Sequence, residues 1–132
     1  MKPMNENRRI LLVDDDPLIL SCYERLLGRR FNLDVAMGAA EALQRISRDG
    51  PYAVVISDMK MPGMTGLELL TKTKETSPGT VRLLLSGNAE FDGAGRVVRE
   101  GIVFRVLQKP CPIDELIEIL ESALVYQESV KV

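Results

Sequence analysis

The stretch Ile10-Leu11-Leu12-Val13-Asp14-Asp15-Asp16-Pro17 decides the fold. Its first half is apolar without alternation, as a strand covered on both faces must be, and such strands belong to parallel sheets. Its second half breaks into three acids and a proline. Asp16-Pro17 supplies an N-cap followed by proline at the first helical position, so a helix starts as soon as the strand ends. Strand, acidic turn, helix is the opening of an α/β unit.

The same alternation continues to the end of the chain. Further short apolar runs lie at Asn32–Ala36, Ala53–Ser57, Val81–Leu85 and Phe104–Gln108, after the first at Arg9–Val13. Between them, apolar residues recur at helical spacing. Leu18, Ile19, Cys22, Tyr23, Leu26 and Leu27 form one stripe, which Gly28 can close. A second helix spans about Ala39 to Ser47. A third starts at Thr65, where Thr65-Gly66-Leu67-Glu68 has capping-box spacing. A fourth, Asn88 to Arg99, is weakened by Gly93 and Gly95 at about 1 kcal/mol each. The last opens at Pro112 and carries Ile113, Leu116, Ile117, Leu120 and Leu124 on one face. Leu11-Leu12-Val13, Val54-Val55-Ile56 and Leu83-Leu84-Leu85 are continuously apolar, so runs one, three and four are central; runs two and five alternate and lie at the edges. With right-handed crossovers this predicts a flavodoxin-like, doubly wound, five-stranded parallel sheet in the order 2-1-3-4-5 with five helices.

Composition narrows the function. The 132 residues carry 17 Lys+Arg against 19 Asp+Glu, a net charge of −2, which offers no electrostatic footprint for nucleic acid or an anionic membrane. No apolar run reaches the ~18 residues of a membrane span, and Met1–Arg9 is too polar for a signal peptide, so the expectation is a cytoplasmic protein. There is no histidine, which excludes Ser-His-Asp and Cys-His catalysis. Cys22 and Cys111 have no zinc or disulfide spacing; Cys22 reads as core and Cys111 as partly buried.

In open parallel sheets, ligands bind beyond the carboxyl ends of the strands, at the switch point between strands one and three. There the first run ends in Asp14-Asp15-Asp16, the third in Ser57-Asp58, the fourth in Ser86 and the fifth in Lys109. Asp16 is accounted for as an N-cap. The remaining carboxylates repel by about 1 kcal/mol at 4 Å even in water, so the cluster must keep a proton or recruit a cation. A few hard oxygens suit Mg²⁺. A divalent ion, a lysine and a hydroxyl around one carboxylate form a phosphoryl-transfer constellation, with the middle carboxylate as nucleophile. A nucleotide site would want a glycine-rich loop where this chain has Asp-Asp-Asp-Pro.

With Ile56-Ser57-Asp58-Met59-Lys60-Met61-Pro62-Gly63-Met64-Thr65-Gly66, Leu84-Leu85-Ser86-Gly87 and Gln108-Lys109-Pro110, the opening stretch resembles the receiver domain of two-component response regulators, the CheY-like superfamily. The likeness spans about Arg9 to Tyr126. It implies a receiver domain over 9–126, a tail over 1–8, and a tail or start of a linker over 127–132. It further implies that Asp58 accepts a phosphoryl group from a histidine kinase or histidine phosphotransfer protein. Asp14 and Asp15, with Asp58 and the backbone carbonyl of Lys60, would hold Mg²⁺ (or Mn²⁺). Ser86 would be the switch hydroxyl, Lys109 the phosphate-bridging lysine, and Lys109–Pro110 a cis bond. Self-catalysed phosphotransfer and autodephosphorylation would be its only chemistry. A downstream output domain and a homodimer on phosphorylation stay open. One departure stands out: Val106 occupies the position where the family often has a rotating aromatic. Phe104 is read as lying on the same strand face but as a core residue, and the glycine-weakened fourth helix as the alternative output route. Two other readings remain, a pseudo-receiver that is never phosphorylated and the receiver portion of a larger enzyme. Gly101–Cys111 is similar to receivers fused to HD-type cyclic-di-GMP phosphodiesterases.

Overall fold

A computed structural model describes residues 8–88 and 93–130. The elements run β1 (Arg9–Asp14), α1 (Pro17–Leu27), β2 (Asn32–Met37), α2 (Gly38–Asp49), β3 (Val54–Asp58), α3 (Gly66–Thr76), β4 (Val81–Ser86), α4 (Ala94–Arg99), β5 (Arg105–Gln108) and α5 (Ile113–Val130). The strands form one parallel sheet in the order β2-β1-β3-β4-β5. This is the flavodoxin-like arrangement expected from the apolar runs.

Period-two alternation on doubly covered strands builds two cores from one sheet. Ile10, Leu12, Val54, Ile56, Leu83 and Leu85 point to one side and pack with Leu20 and Leu27 of α1 and Leu116 and Leu120 of α5. Leu11, Val13, Val55 and Leu84 point to the other and pack with Ala39 and Ala42 of α2, Leu69 and Leu70 of α3 and Val97 of α4. Asp16 caps α1 by accepting from the Leu18 N–H, and Thr65 and Glu68 form the expected capping box on α3. Lys109–Pro110 is cis, as is Gly50–Pro51. No helix among the described residues is long and apolar enough to cross a membrane.

Several local expectations are corrected. In α1 the stripe is displaced: Leu20 is buried, whereas Leu18 and Leu26 are exposed and Cys22 is only half-buried. Apolar residues on both sides of this helix left its inner face ambiguous. The fourth helix is short: Asn88 is not helical, α4 begins at Ala94, and the expected turns between them lie at 89–92, outside the described residues. Gly93 caps it at φ 96°, a left-handed conformation that glycine adopts without strain. Phe104 precedes β5, so strand alternation does not bind it. It packs on the α1/α5 side and stacks on Tyr126 with ring centroids 4.8 Å apart, while Val106 packs on the opposite core. The helix α5 also covers Gln127–Val130, residues the sequence assigns to a tail or linker.

Where the strands begin, a polar network holds β1, β2, α2 and the approach to β3 together. The Tyr52 hydroxyl donates to Asp34 at 2.7 Å, Arg9 lies over the Tyr52 ring, and Arg9 and Arg45 both face Asp34. Burial, followed by the bond to Asp34, pushes the Tyr52 phenol up to about 12. An acid whose folded-state pKa exceeds its unfolded value of 10 keeps its proton longer when folded, so it costs stability as pH rises above 10. At neutral pH, Tyr52→Phe should lose about 1 kcal/mol with the hydrogen bond. By pH 11 wild type has lost about 1.4 kcal/mol relative to the variant, so the two should become equally stable between pH 10 and 11. Urea unfolding of both proteins from pH 7 to 11 checks this.

Candidate functional site

Each of the strands β1, β3, β4 and β5 delivers one polar group to the carboxyl edge of the sheet. Asp14 ends β1, Asp58 ends β3, Ser86 ends β4, and Lys109 directly follows β5. The register that pairs Val13 with Ser57, and Asp58 with Leu85, brings the first two strand ends level. Asp14, Asp58 and Ser86 are buried, and Asp15 is exposed at the mouth.

One oxygen from each of Asp14, Asp15 and Asp58 lies within 4.8 Å of the others. The Lys109 Nζ donates to Asp58 Oδ1 at 2.8 Å and stands 3.6 Å from Asp14 Oδ2. Three carboxylates therefore face one ammonium, and the imbalance is legible in the proton affinities. Burial holds the Asp14 carboxyl above its ordinary range and the charge of Asp58 adds to this. The Asp16 N–H, which donates to Asp14 Oδ1 at 3.0 Å, and Lys109 act in the opposite direction. Burial alone would lower the Lys109 ammonium, but the bond to Asp58 and the charges of Asp14 and Asp58 outweigh it, and its pKa is raised. Lysine stays charged, and the surplus is negative.

That surplus is the test of whether a divalent cation fits. The donors are all hard carboxylate oxygens, close enough to touch one ion, with negative charge to spare; this set fits Mg²⁺ or Mn²⁺ and not a soft metal. Lys60 lies two residues beyond Asp58 with an exposed side chain. The backbone leading to it is held on both sides: Met59 N–H donates to the Leu85 carbonyl and its carbonyl accepts from Gly66 N–H, both at 2.8 Å. Met61 is buried, with Met59 and Met64 packed around the same core, so these methionines are packing groups.

Ser86 accepts a hydrogen bond from Asn88 N–H at 3.0 Å, and a hydroxyl that accepts still has its own proton to give. Neighbouring Gln108 bonds the Gly87 and Lys109 carbonyls. In the sequence Gln108 stands out only as part of the motif Gln108-Lys109-Pro110, because nothing in residue type or spacing marks a glutamine that bridges two loop carbonyls.

This chain is similar to known proteins across nearly its whole length. The family model of the response regulator receiver domain matches residues 10–121. The uncharacterized transcriptional regulatory protein YesN of Bacillus subtilis (strain 168) is 35% identical over 126 residues, 88% of this chain and 32% of YesN. The DNA-binding transcriptional regulator NtrC of Escherichia coli (strain K12) is 34% identical over 121 residues, 90% of this chain and 25% of NtrC. The chain thus spans a third or less of these regulators. Among solved structures, adenylate cyclase from Rhodopirellula baltica superposes with a TM-score of 0.89 at 38% identity, covering 94% of this chain and 92% of that one. The signal receiver domain of an HD domain-containing protein from Pseudomonas fluorescens Pf-5 gives 0.84 at 34% identity, covering 94% and 99%.

Proposed function

The chain belongs to the response regulator receiver family, and from that membership we propose that Asp58 accepts a phosphoryl group from a phosphohistidine on a histidine kinase or histidine phosphotransfer protein. One observation carries the reading: three carboxylates gather within 4.8 Å, and the nearest ammonium lies 2.8 Å from Asp58. Capping explains Asp16 alone; nothing structural requires the other three acids to converge. The chain itself contains no histidine, consistent with a donor on a separate partner or segment.

In the proposed step a carboxylate oxygen of Asp58 forms a bond to phosphorus in line with the breaking P–N bond, and the imidazole leaves with the electron pair. Lys109, already on Asp58, offsets charge on the transferred oxygens, and Ser86 donates its hydroxyl proton to one of them. Asp14, Asp15, Asp58 and the Lys60 carbonyl would hold Mg²⁺ or Mn²⁺. The ion, when bound, supplies charge neutralisation at the phosphoryl oxygens. The product replaces one carboxylate charge with a multi-oxygen anion of roughly −1.5 to −2. Function then lies in signalling, as a population shift toward a conformer that the phosphoryl group favours. The proposed setting is the cytoplasm, with no direct nucleic-acid contact by this chain. The regulators and the HD domain-containing protein named above carry different outputs in their names, so the likeness favours no single downstream partner.

The test is acyl-phosphate formation from acetyl phosphate on the whole chain. With Mg²⁺ present, a hydroxylamine-labile label should form; chelating the metal should slow labelling by roughly a hundred-fold or more, the equivalent of the several kcal/mol a divalent ion contributes. A chain that binds Mg²⁺ by titration but takes no label would overturn phosphoacceptance, and one that binds neither would be a pseudo-receiver.

A further inference from the structure

The ends of β4 and β5 are joined by a side-chain tie that phosphoryl chemistry at Asp58 does not require. The Gln108 Nε2 has two hydrogens; it donates one to the Gly87 carbonyl at 2.8 Å and one to the Lys109 carbonyl at 3.0 Å. Just before it, the backbone N–H of Lys109 donates to the Ser86 carbonyl at 2.8 Å. The Gln108 side chain makes the next link, and one amide thereby holds the residue after the switch hydroxyl and the residue bearing the ammonium.

Two further features give this tie a role. Val106, half-buried on the α2–α4 side of the sheet, is β-branched and stiff at χ1, so it cannot swing between two positions as a long aromatic can. Gly87, by contrast, has no described residue beyond its chain neighbours within 4 Å of where a Cβ would stand, so that side of its backbone is open. Moving Ser86 toward Asp58 moves the Gly87 peptide joined to it, and drawing Lys109 toward a phosphoryl group pulls on the other carbonyl. Both displacements load the same glutamine amide.

Resting on the phosphoacceptor reading of Asp58, we propose that Gln108 is a positioning residue that holds the Gly87 carbonyl, and with it Ser86, in the unphosphorylated arrangement and releases it when Ser86 engages a phosphoryl group. A phosphoryl group shifts the equilibrium only by its differential interaction with the two arrangements, so a tie present in one alone must be overcome before the other is populated. Removing the tie raises the population of the phosphoryl-competent arrangement. Apparent affinity for a phosphoryl mimic rises by the same factor, because it scales with that population.

The experiment compares the wild-type chain with Gln108→Leu, which keeps the bulk and removes both donors, and Gln108→Glu, which sets a carboxylate against the two carbonyls. Gln108 is exposed, so neither change opens a core. Beryllofluoride with Mg²⁺ is titrated and followed by NMR, together with amide exchange at Gly87 and Asn88 in metal-free protein. Both variants should exchange faster at these amides and bind beryllofluoride roughly 3- to 10-fold more tightly, the range equivalent to one ordinary net hydrogen bond. Mg²⁺ affinity should stay unchanged in Gln108→Leu, which alters no charge. Faster exchange with unaltered or weaker beryllofluoride binding would reduce Gln108 to a purely structural tie and overturn the proposal. If wild type binds no beryllofluoride and takes no acyl phosphate, the phosphoacceptor reading fails first and this role fails with it. If wild type binds and the variants match it, only the role of Gln108 fails.

Discussion

Asp58→Asn will abolish the hydroxylamine-labile label while leaving the chain folded. The amide oxygen of asparagine keeps the shape of the carboxylate and can still accept from Lys109, now 2.8 Å from the carboxylate. Its lone pairs are delocalised into the amide, so it forms no stable acyl phosphate. Stability should change little, because two effects oppose each other. Losing one carboxylate relieves repulsion with Asp14 and Asp15, about 1 kcal/mol per pair in water and several-fold more at an effective dielectric of 20. It also removes the charged partner of Lys109, which then retains only Asp14, at 3.6 Å. Metal-free unfolding in urea should therefore fall within about 1 kcal/mol of wild type. Mg²⁺ binding should weaken but persist on Asp14 and Asp15. A label that survives in Asp58→Asn and resists acid would identify a hydroxyl nucleophile, such as Ser57 or Ser86, and would sink the assignment of Asp58.

The physics of the sheet explains how much of this was legible. A strand buried on both faces must be apolar throughout, so Leu11-Leu12-Val13, Val54-Val55-Ile56 and Leu83-Leu84-Leu85 declare the central strands, and with them the strand order. A parallel sheet gathers the strand ends on one edge, so Asp14, Asp58, Ser86 and Lys109 were foreseeable neighbours from their places after the apolar runs alone. Helix faces were less legible. In α1, Leu18 and Leu26 are as apolar as the buried Leu20 and Leu27, and only the packed structure decides which pair faces the core.

Loop paths were the least legible. Phe104 and Val106 are two residues apart and would share a face if the strand began one residue earlier, yet β5 starts at Arg105 and they pack on opposite cores. Arg82 is similar: nothing in the run Val81–Leu85 marks what its side chain does. The structure buries its guanidinium against the carbonyls of Thr80, Ile102, Gly101 and Pro78, where it ties the α4–β5 turn to the start of β4. Such roles depend on where carbonyls from distant loops arrive, which no local pattern records.

Gly66→Ala will destabilise the protein by about 3 kcal/mol, although alanine is the better helix former by up to about 1 kcal/mol. Gly66 is the buried first residue of α3, and a Cβ there would stand 2.1 Å from the Asp58 carbonyl oxygen and 3.0 Å from the Met59 Cα. Neither backbone can yield cheaply. Met59 is bonded on one side to Leu85 and on the other to Gly66 itself. The start of α3 is fixed by the reciprocal bonds of Thr65 and Glu68 at 3.1 and 2.9 Å, and by the fully buried Leu69 and Leu70. Because the displaced segment carries Asp58 and Lys60, Mg²⁺ affinity should fall together with stability. Gly95→Ala supplies the control of opposite sign. There, among the described residues, the added Cβ meets only the far end of the Arg99 side chain at 3.1 Å, which can swing away, so helix propensity should prevail and stability should rise by about 0.5–1 kcal/mol. Urea unfolding and Mg²⁺ titration of the two variants give the comparison. If Gly66→Ala were as stable as wild type and bound Mg²⁺ equally well, α3 could not rest on the Asp58 carbonyl, and the proposed place of the Lys60 carbonyl among the ligands would lose its support.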